Sequence, residues 1–445
     1  MRSMISNSPG CRPSRLIGPR DYEKSWGPRE IFPCYQRLLN TGANRTLACK
    51  PRISHNVIVI TPHPFHATGR LVDFMRQADE PGLINLAAGV PGLDALPAEE
   101  LKAAFARAFE KEGARLFAYH HPEGDHALRE HLAARLRSRG ADVTGKQLIT
   151  VTGCTQGLQL LLSVLVKPGD IVAVEAPGYY GLLELLSEAG VRVLPLPVAD
   201  ENGIDPDQAE PLLAHWKPRC LIVCAALSNP SGATIPEANR PRLVEICRTH
   251  GVRLIEDDIY GELVDGGPPK TMLSWDDGST VSYVSSFSKS VSPGLRVGFC
   301  APGSLHEEYA ARKCQQDLHS AVTSEVMLRE FMESGAFDPH LARLRERNRG
   351  RRERALATIE RSFPRGTTVP PPRGGYMLWA ELPRPIDLAP VRISARESRV
   401  VFADGAVFFT QSPGKTCLRL NCAKATEQEL VFGLETLGGI LSSAR

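Results

Sequence analysis

The sequence contains no apolar run approaching the roughly 20 residues of a bilayer-spanning helix. Its N-terminus, MRSMISNSPG, lacks the apolar core of a secretory signal. No G-x-G-x-x-G joins a strand to a helix, so a dinucleotide site has no support, and G-x-x-x-x-G-K-[ST] and H-E-x-x-H are missing too. The eleven cysteines are odd in number and scattered, with no C-x-x-C pair and no Cys/His group at zinc spacing. Neither a disulfide framework nor a metal site is expected, and Cys220 and Cys224, on one face of an apolar strand, read as small buried hydrophobes. These features describe a reduced, cytoplasmic chain.

Charge of one sign is also scarce. The net charge of +3 over 445 residues gives no basis for a nucleic-acid or membrane partner. Residues 1–60 nevertheless carry ten Lys/Arg against three acids, a net +7, which leaves −4 for the rest. That leader holds Pro9, Pro13, Pro28 and Pro33, has no amphipathic period, and shows no helix-turn-helix pattern. Residues 1–67 are expected to be a disordered extension, or to follow from a start site placed too far upstream, in preference to a targeting peptide.

Foldable periodicity begins near Thr68. GRLVDFMRQADEPG reads as a short helix, Pro97–Glu112 and Asp125–Arg139 as amphipathic ones. Strands and helices then alternate: QLITVTG, helix 155–166, IVAVEAP, helix 180–189, VRVLPLPV, helix 207–215, CLIVCAAL, helix 238–250, VRLIEDD, then TVSYVSSFS and RVGFCAP. Several strands are continuous apolar runs, the mark of a mostly parallel sheet covered by helices on both faces. A helical stretch from His306 to Arg361 is expected to break near Gly335 and Pro339, and the tail mixes short strands (YMLWAEL, AVFFT, CLRLNC) with a final helix. The expected organisation is an N-terminal arm with part of a small domain (68–115), a large α/β domain (116–325) and a small α+β domain (326–445).

Three segments carry candidate chemistry. In SSFSKSVSPGLRVGF, Lys289 follows a strand, with Ser286 and Ser288 before it and Arg296 seven residues later. Ligands of open α/β sheets bind outside the carboxyl ends of strands. A lysine there can form an imine while hydroxyls and a guanidinium hold a phosphate; a loop lysine taken alone is almost always just solvated, and the Ser-x-Ser-Lys with its later Arg puts the two readings on a par. VRLIEDDIYGEL ends a strand in Asp257 and Asp258, followed by Tyr260. A buried carboxylate there suits a protonated ring nitrogen; a solvated acidic turn is the plain alternative. LSNPSG places Asn229 in a Pro/Gly-shaped turn after another strand, which on its own signals only a turn.

In this order and spacing, Asn-Pro-x-Gly, Glu-Asp-Asp-x-Tyr and Ser-x-Ser-Lys with its later Arg resemble fold-type I pyridoxal 5'-phosphate (PLP) aminotransferases of class I/II. The resemblance is nearest to 2-aminoadipate and kynurenine aminotransferases and to the catalytic domains of MocR-type regulators, and it covers about residues 68–445. It implies a large domain with a mostly parallel seven-stranded sheet between helices, plus a smaller α+β domain.

It also implies roles. Lys289 would be the Schiff-base lysine and proton shuttle, Asp257 the partner of the pyridine nitrogen, and Asn229 and Tyr260 the partners of the phenolate oxygen. Ser286, Ser288 and Arg296 would hold the phosphate, with Cys154 and Thr155 adding contacts from a helix N-terminus. Tyr179, from EAPGYYGLLE, would stack on the ring. Arg419, from CLRLNCA, would clamp the substrate α-carboxylate, with Gly89 of LAAGVPG and Asn229 beside the substrate. Tyr119, from FAYHHPEGDHALRE, would reach the phosphate in a partner subunit, which implies a homodimer with shared sites. His120 and His121 depart from the family pattern. The implied activity is amino transfer between an L-α-amino acid and a 2-oxo acid. The same cofactor chemistry also serves elimination, cyclisation or replacement, and a PLP-sensing regulator is a third reading.

Overall fold

The computed structural model describes residues 60–65, 71–72, 76 and 80–444. The expectations for residues 1–59 and for most of the helix after Thr68 lie outside the described residues; Leu71 and Val72 are helical.

The strands, in chain order, are β1 (His63–Pro64), β2 (Ile84–Asn85), β3 (Ile149–Val151), β4 (Ile171–Ala176), β5 (Arg192–Pro197), β6 (Cys220–Val223), β7 (Arg253–Asp257), β8 (Val281–Ser286), β9 (Gly298–Ala301), β10 (Met377–Glu381), β11 (Val400–Val401), β12 (Ala403–Asp404) and β13 (Cys417–Asn421). The helices are α1 (Ala98–Glu112), α2 (His126–Ser138), α3 (Cys154–Leu165), α4 (Tyr180–Glu188), α5 (Pro206–Trp216), α6 (Arg240–His250), α7 (His306–Asp317), α8 (Val322–Glu333), α9 (Phe337–Ser362), α10 (Leu388–Glu397) and α11 (Glu427–Ser443).

One large sheet has the order β1-β5-β4-β6-β7-β8-β9-β3. The run from β5 to β8 is parallel, β9 lies antiparallel between β8 and β3, and β1 adds an antiparallel edge on β5. The seven expected strands are all present. The eighth, β1, lies upstream of Thr68, so the folded chain starts earlier than its periodicity suggests: two residues are too few to show a period.

The apolar strands divide their side chains between two cores. Val172, Val174, Cys220 and Ile222 pack with α3, α4 and Tyr309 of α7, whereas Ala173, Leu221 and Val223 pack on the other face with α2, α5, α6 and α8. The helices present matching stripes. Leu128, Leu132 and Leu136 of α2, four apart, are buried, and each contributes roughly 1.5–3 kcal/mol of apolar transfer. Asp125 caps α2 by accepting from Leu128 N at 2.7 Å, and Thr426 and Glu429 form a capping box on α11.

A second core lies around the antiparallel sheet β10-β13-β12, the parallel pair β11-β2, and helices α10 and α11. The cores divide the chain differently from the expected boundaries. Leu101 and Ala104 of α1, and Phe331, Phe337 and Leu341, belong with the large core; within α9 the second core takes over from Leu344, and it also includes Leu86, Leu227 and Leu263. The reason is that α9 is one 26-residue helix running through both. Pro339 does not break it: it sits in the first turn, where a missing N–H costs nothing. The chain breaks instead at Gly335, as expected, and also between α7 and α8, where Leu318 takes a left-handed φ of 60°. AVFFT is not a strand. Asp404 caps a 3-10 turn, Gly405–Phe408, that carries Phe408 into the interior.

Candidate active site

The carboxyl ends of β4, β6, β7 and β8 open on one cavity of about 450 Å³. Glu175 is the penultimate residue of β4, and Tyr179 follows as the residue before α4. Cys224 and Asn229 follow β6, and Asp257 ends β7. The turn after β8 presents Ser288 and Lys289, and the first turn of α3 presents Cys154 and Thr155. Gly89 arrives on the loop after β2, and Arg419 from the small sheet, opposite Trp379 and Ala403. Tyr260 and Arg296 complete the polar lining, so nearly every expected site residue meets in one place.

Lys289 donates from Nζ to the carbonyl of Gly89 at 2.6 Å. Burial, aided by the positive charges of Arg419 and Arg296, lowers its pKa to about 8. Asp257 accepts from the Cys154 thiol at 3.0 Å, and burial raises its carboxyl to about 6. Asp258, the next residue along, points to the opposite face as strand alternation requires. It pairs there with Arg139 at 2.6 Å and accepts from Tyr283 Oη at 2.6 Å. Asp258 is therefore buried and Asp257 faces the cavity, so the pair is divided and not a solvated turn.

Arg296 takes a left-handed φ of 54° and donates from Nη2 to Thr152 O at 2.9 Å, with Ser288 Oγ 3.4 Å from Nη1. Gly153 precedes α3 at φ +85°, and a Cβ there would lie 2.5 Å from Arg296 Nη2. The guanidinium thus rests against bare backbone beside the first-turn amides of a helix, an arrangement that favours an anion. Arg419 is fully buried. It donates from Nη1 to Asn229 Oδ1 at 2.9 Å and from Nη2 to Ala87 O, and it stacks 4.7 Å from the Phe408 ring centre. Burial holds the Tyr179 and Tyr260 phenols above their ordinary range, so both stay neutral donors. Gly181 leaves room for Tyr179, since a Cβ there would meet its ring at 2.5 Å.

Two expected residues do not reach the cavity. Ser286 stands behind it, 2.8 Å from Ser288 Oγ, and accepts from Ser288 N at 3.1 Å. Its role is to fix the turn that carries Ser288 and Lys289. Tyr119 is 83% exposed and meets His319 edge-on. His120 and His121 also lie outside the lining. Glu175 and Cys224 were not among the expected site residues, and both line the cavity, as does Tyr180 beside Tyr179. Cys224 is therefore not the small core residue that Cys220 is. The signal for Glu175 was present: a single acid near the end of an otherwise apolar, doubly buried strand.

Comparison with known proteins fits this geometry. The family model described as aminotransferase class I and II matches residues 81–437. The 2-aminoadipate transaminase of Thermus thermophilus is 32% identical over 375 residues, 83% of this chain and 92% of the relative. An HTH-type transcriptional regulator of Escherichia coli, YjiR, is 31% identical over 372 residues, 83% of this chain and 79% of the regulator. Among solved structures, the Thermus thermophilus α-aminoadipate aminotransferase LysN, complexed with N-(5'-phosphopyridoxyl)-L-leucine, superposes with a TM-score of 0.77 at 30% identity, covering 85% of this chain and 96% of that one. By sequence, by fold and by the way its strand ends converge, the chain belongs to the class I and II aminotransferase family.

Proposed function

We propose that the chain transfers an amino group from an L-α-amino acid to a 2-oxo acid, with pyridoxal 5'-phosphate held at Lys289. The observation that carries this is a lysine of lowered pKa sharing one cavity with a buried carboxylate and an arginine cradle at a helix N-terminus. The donor set fits the cofactor. Arg296, Ser288 and the first turn of α3 with Cys154 and Thr155 would hold the phosphate, backed by Ser286. Asp257 would hold the ring nitrogen, Tyr260 and Asn229 the phenolate oxygen, and Tyr179 the ring face. When bound, the cofactor supplies a carbonyl that condenses with amines and a ring that accepts electrons released at the α-carbon.

The protein's own groups do the rest. Near neutral pH part of Lys289 is a free amine, able to attack a carbonyl and to carry a proton to and from the substrate α-carbon. Arg419 binds the α-carboxylate; its buried fork is already oriented by Asn229 and Ala87. Gly89 keeps the loop close, and Tyr180 adds an aromatic wall.

The working form is a homodimer with shared sites. Supporting this, α1 turns Phe105 and Phe109 outward, Phe109 meets Phe117 at 6.4 Å, and Tyr119 follows exposed on the same segment. Such an apolar face is typical of an association surface, and Tyr119 would reach the partner's phosphate from it.

The test is spectroscopic and chemical. Purified protein should show the cofactor's visible absorption, Lys289→Ala should lose it, and an amino donor should yield its 2-oxo acid with turnover only when a second 2-oxo acid is supplied. Consumption of the donor with release of ammonia, or an unchanged spectrum in the variant, would refute the reading.

A further inference from the structure

Glu175 has no role in the chemistry above, yet it is a buried carboxyl in the same cavity wall as Asp257. Its Oε2 accepts from Cys224 N at 2.9 Å and from Ser228 Oγ at 3.0 Å. Those donors lie at either end of the short loop leaving β6. Between them, Leu227 holds a left-handed φ of 55°, a conformation that a residue with a branched side chain seldom keeps unless its surroundings fix it. Its N–H goes to Thr234 Oγ1 at 3.1 Å, and Ser228 N goes to Ala233 O at 2.8 Å. The loop ends at Asn229, whose side-chain oxygen receives Arg419 Nη1. A line of hydrogen bonds and one peptide link therefore runs from carboxyl 175 to the guanidinium.

We infer that Glu175 is a positioning residue: it pins the two ends of the strained loop, and through Ser228 and Asn229 it sets the direction of Arg419 and so the affinity of the site for a carboxylate. This inference rests on the reading of Arg419 as the substrate-carboxylate clamp.

The role requires an acceptor at Oε2, not a negative charge. Burial pushes the Glu175 carboxyl up to about 8, against the pull of the Cys224 N–H and the Ser228 hydroxyl, so the group is protonated at neutral pH and still accepts at one oxygen. A glutamine keeps an acceptor oxygen of the same reach, whereas a leucine of similar size offers none. Without the acceptor, a buried N–H and a buried hydroxyl lose their partner, and the left-handed turn between them is no longer held.

The experiment compares holoenzyme of wild type, E175Q, E175L and S228A. Titration with 3-phenylpropanoate, a carboxylate without the amino group, is followed by the cofactor's absorbance; KM and kcat for an amino donor are measured alongside. E175Q should bind the carboxylate within about threefold of wild type, and E175L about 10- to 100-fold more weakly, with KM rising more than kcat falls. S228A, a milder change at the far end of the same bond, should weaken binding about three- to tenfold, which covers the case of an E175L that fails to fold. The E175L/R419A double variant should bind no more weakly than R419A alone.

Wild-type affinity in E175L, or in S228A if E175L does not fold, overturns the inference. So does an E175Q as impaired as E175L, which would mean that the carboxylic acid itself is required. Wild-type protein that shows no cofactor band or no amino transfer overturns the proposed function, and this inference with it.

Discussion

Replacing Gly153 with alanine tests the anion cradle at its tightest point. The added Cβ would lie 2.5 Å from Arg296 Nη2, 3.1 Å from Cζ and 3.3 Å from Nη1. The guanidinium has little room to yield, because Thr152 O, Pro293 O and Ser288 Oγ already hold it. Two penalties follow. A β-carbon at φ +85° costs about 1–2 kcal/mol of backbone strain, with or without ligand. Turning Arg296 away removes a charge-assisted hydrogen bond to a phosphate, about 1.5–3 kcal/mol, which is felt only in binding. The G153A variant should therefore bind pyridoxal phosphate about 10- to 150-fold more weakly than wild type, and its ligand-free form should melt at a lower temperature. Gly169 supplies the control: its φ is +88°, yet nothing lies within 4 Å of a Cβ there. G169A should carry the strain and lower the melting temperature while leaving cofactor affinity intact. Wild-type cofactor affinity in G153A, or equal losses of affinity in both variants, would refute the cradle.

Three further outcomes are expected. The raised Asp257 carboxyl makes ligand-free stability depend on pH: below about 4 the group is protonated folded and unfolded alike, and as pH rises from there to about 6 the folded form retains a proton that the unfolded chain has released, so stability falls across that window. Asp257→Asn should abolish this loss, leaving the ligand-free variant up to about 3 kcal/mol more stable than wild type at pH 7 and no more stable at pH 3 in denaturant titrations, while amino transfer collapses. Arg419→Lys loses the fork that meets a carboxylate with two parallel bonds, and kcat/KM for the donor should fall about 10- to 100-fold in steady-state kinetics. Tyr119→Phe should weaken cofactor affinity in the dimer by about tenfold without moving the melting temperature of the ligand-free protein, as the loss of one phosphate hydrogen bond requires.

The large sheet and the lysine were legible because both depend on local pattern. Apolar runs bounded by turn residues fix β4 to β8, and a polar residue just past such a run, as at Lys289 and Asp257, stands at a ligand-facing strand end. Asp257 and Asp258 are alike in composition: the resemblance singles out Asp257, and strand alternation is the reason it faces the cavity while Asp258 meets Arg139. What escaped depends on distance or on capping. Glu175 stands out as the one acid of the apolar strand β4, but its partners, Cys224 and Ser228, lie about fifty residues away in sequence. AVFFT has the composition of a strand, but the Asp404 side chain accepts from Ala406 N and winds it into a turn. Tyr119 remains outside the cavity of its own chain.

The rim of the large sheet at β5 has a further consequence for handling the protein. A free strand edge is a template for other chains. Here β1 covers the first part of it, pairing His63 with Val193 and Pro64 with Arg192, while Arg192 reaches back to Pro62 O. Farther along, Pro195 and Pro197 have no N–H to offer a new neighbour. Among the described residues the rim is thus guarded by a two-residue patch and by proline. A chain shortened to begin at Thr68, where the periodicity starts, would keep every cavity residue and lose the patch. Arg192 and Val193 would then lose their β1 partners, and the cost of that trimming would appear as aggregation rather than as lost activity.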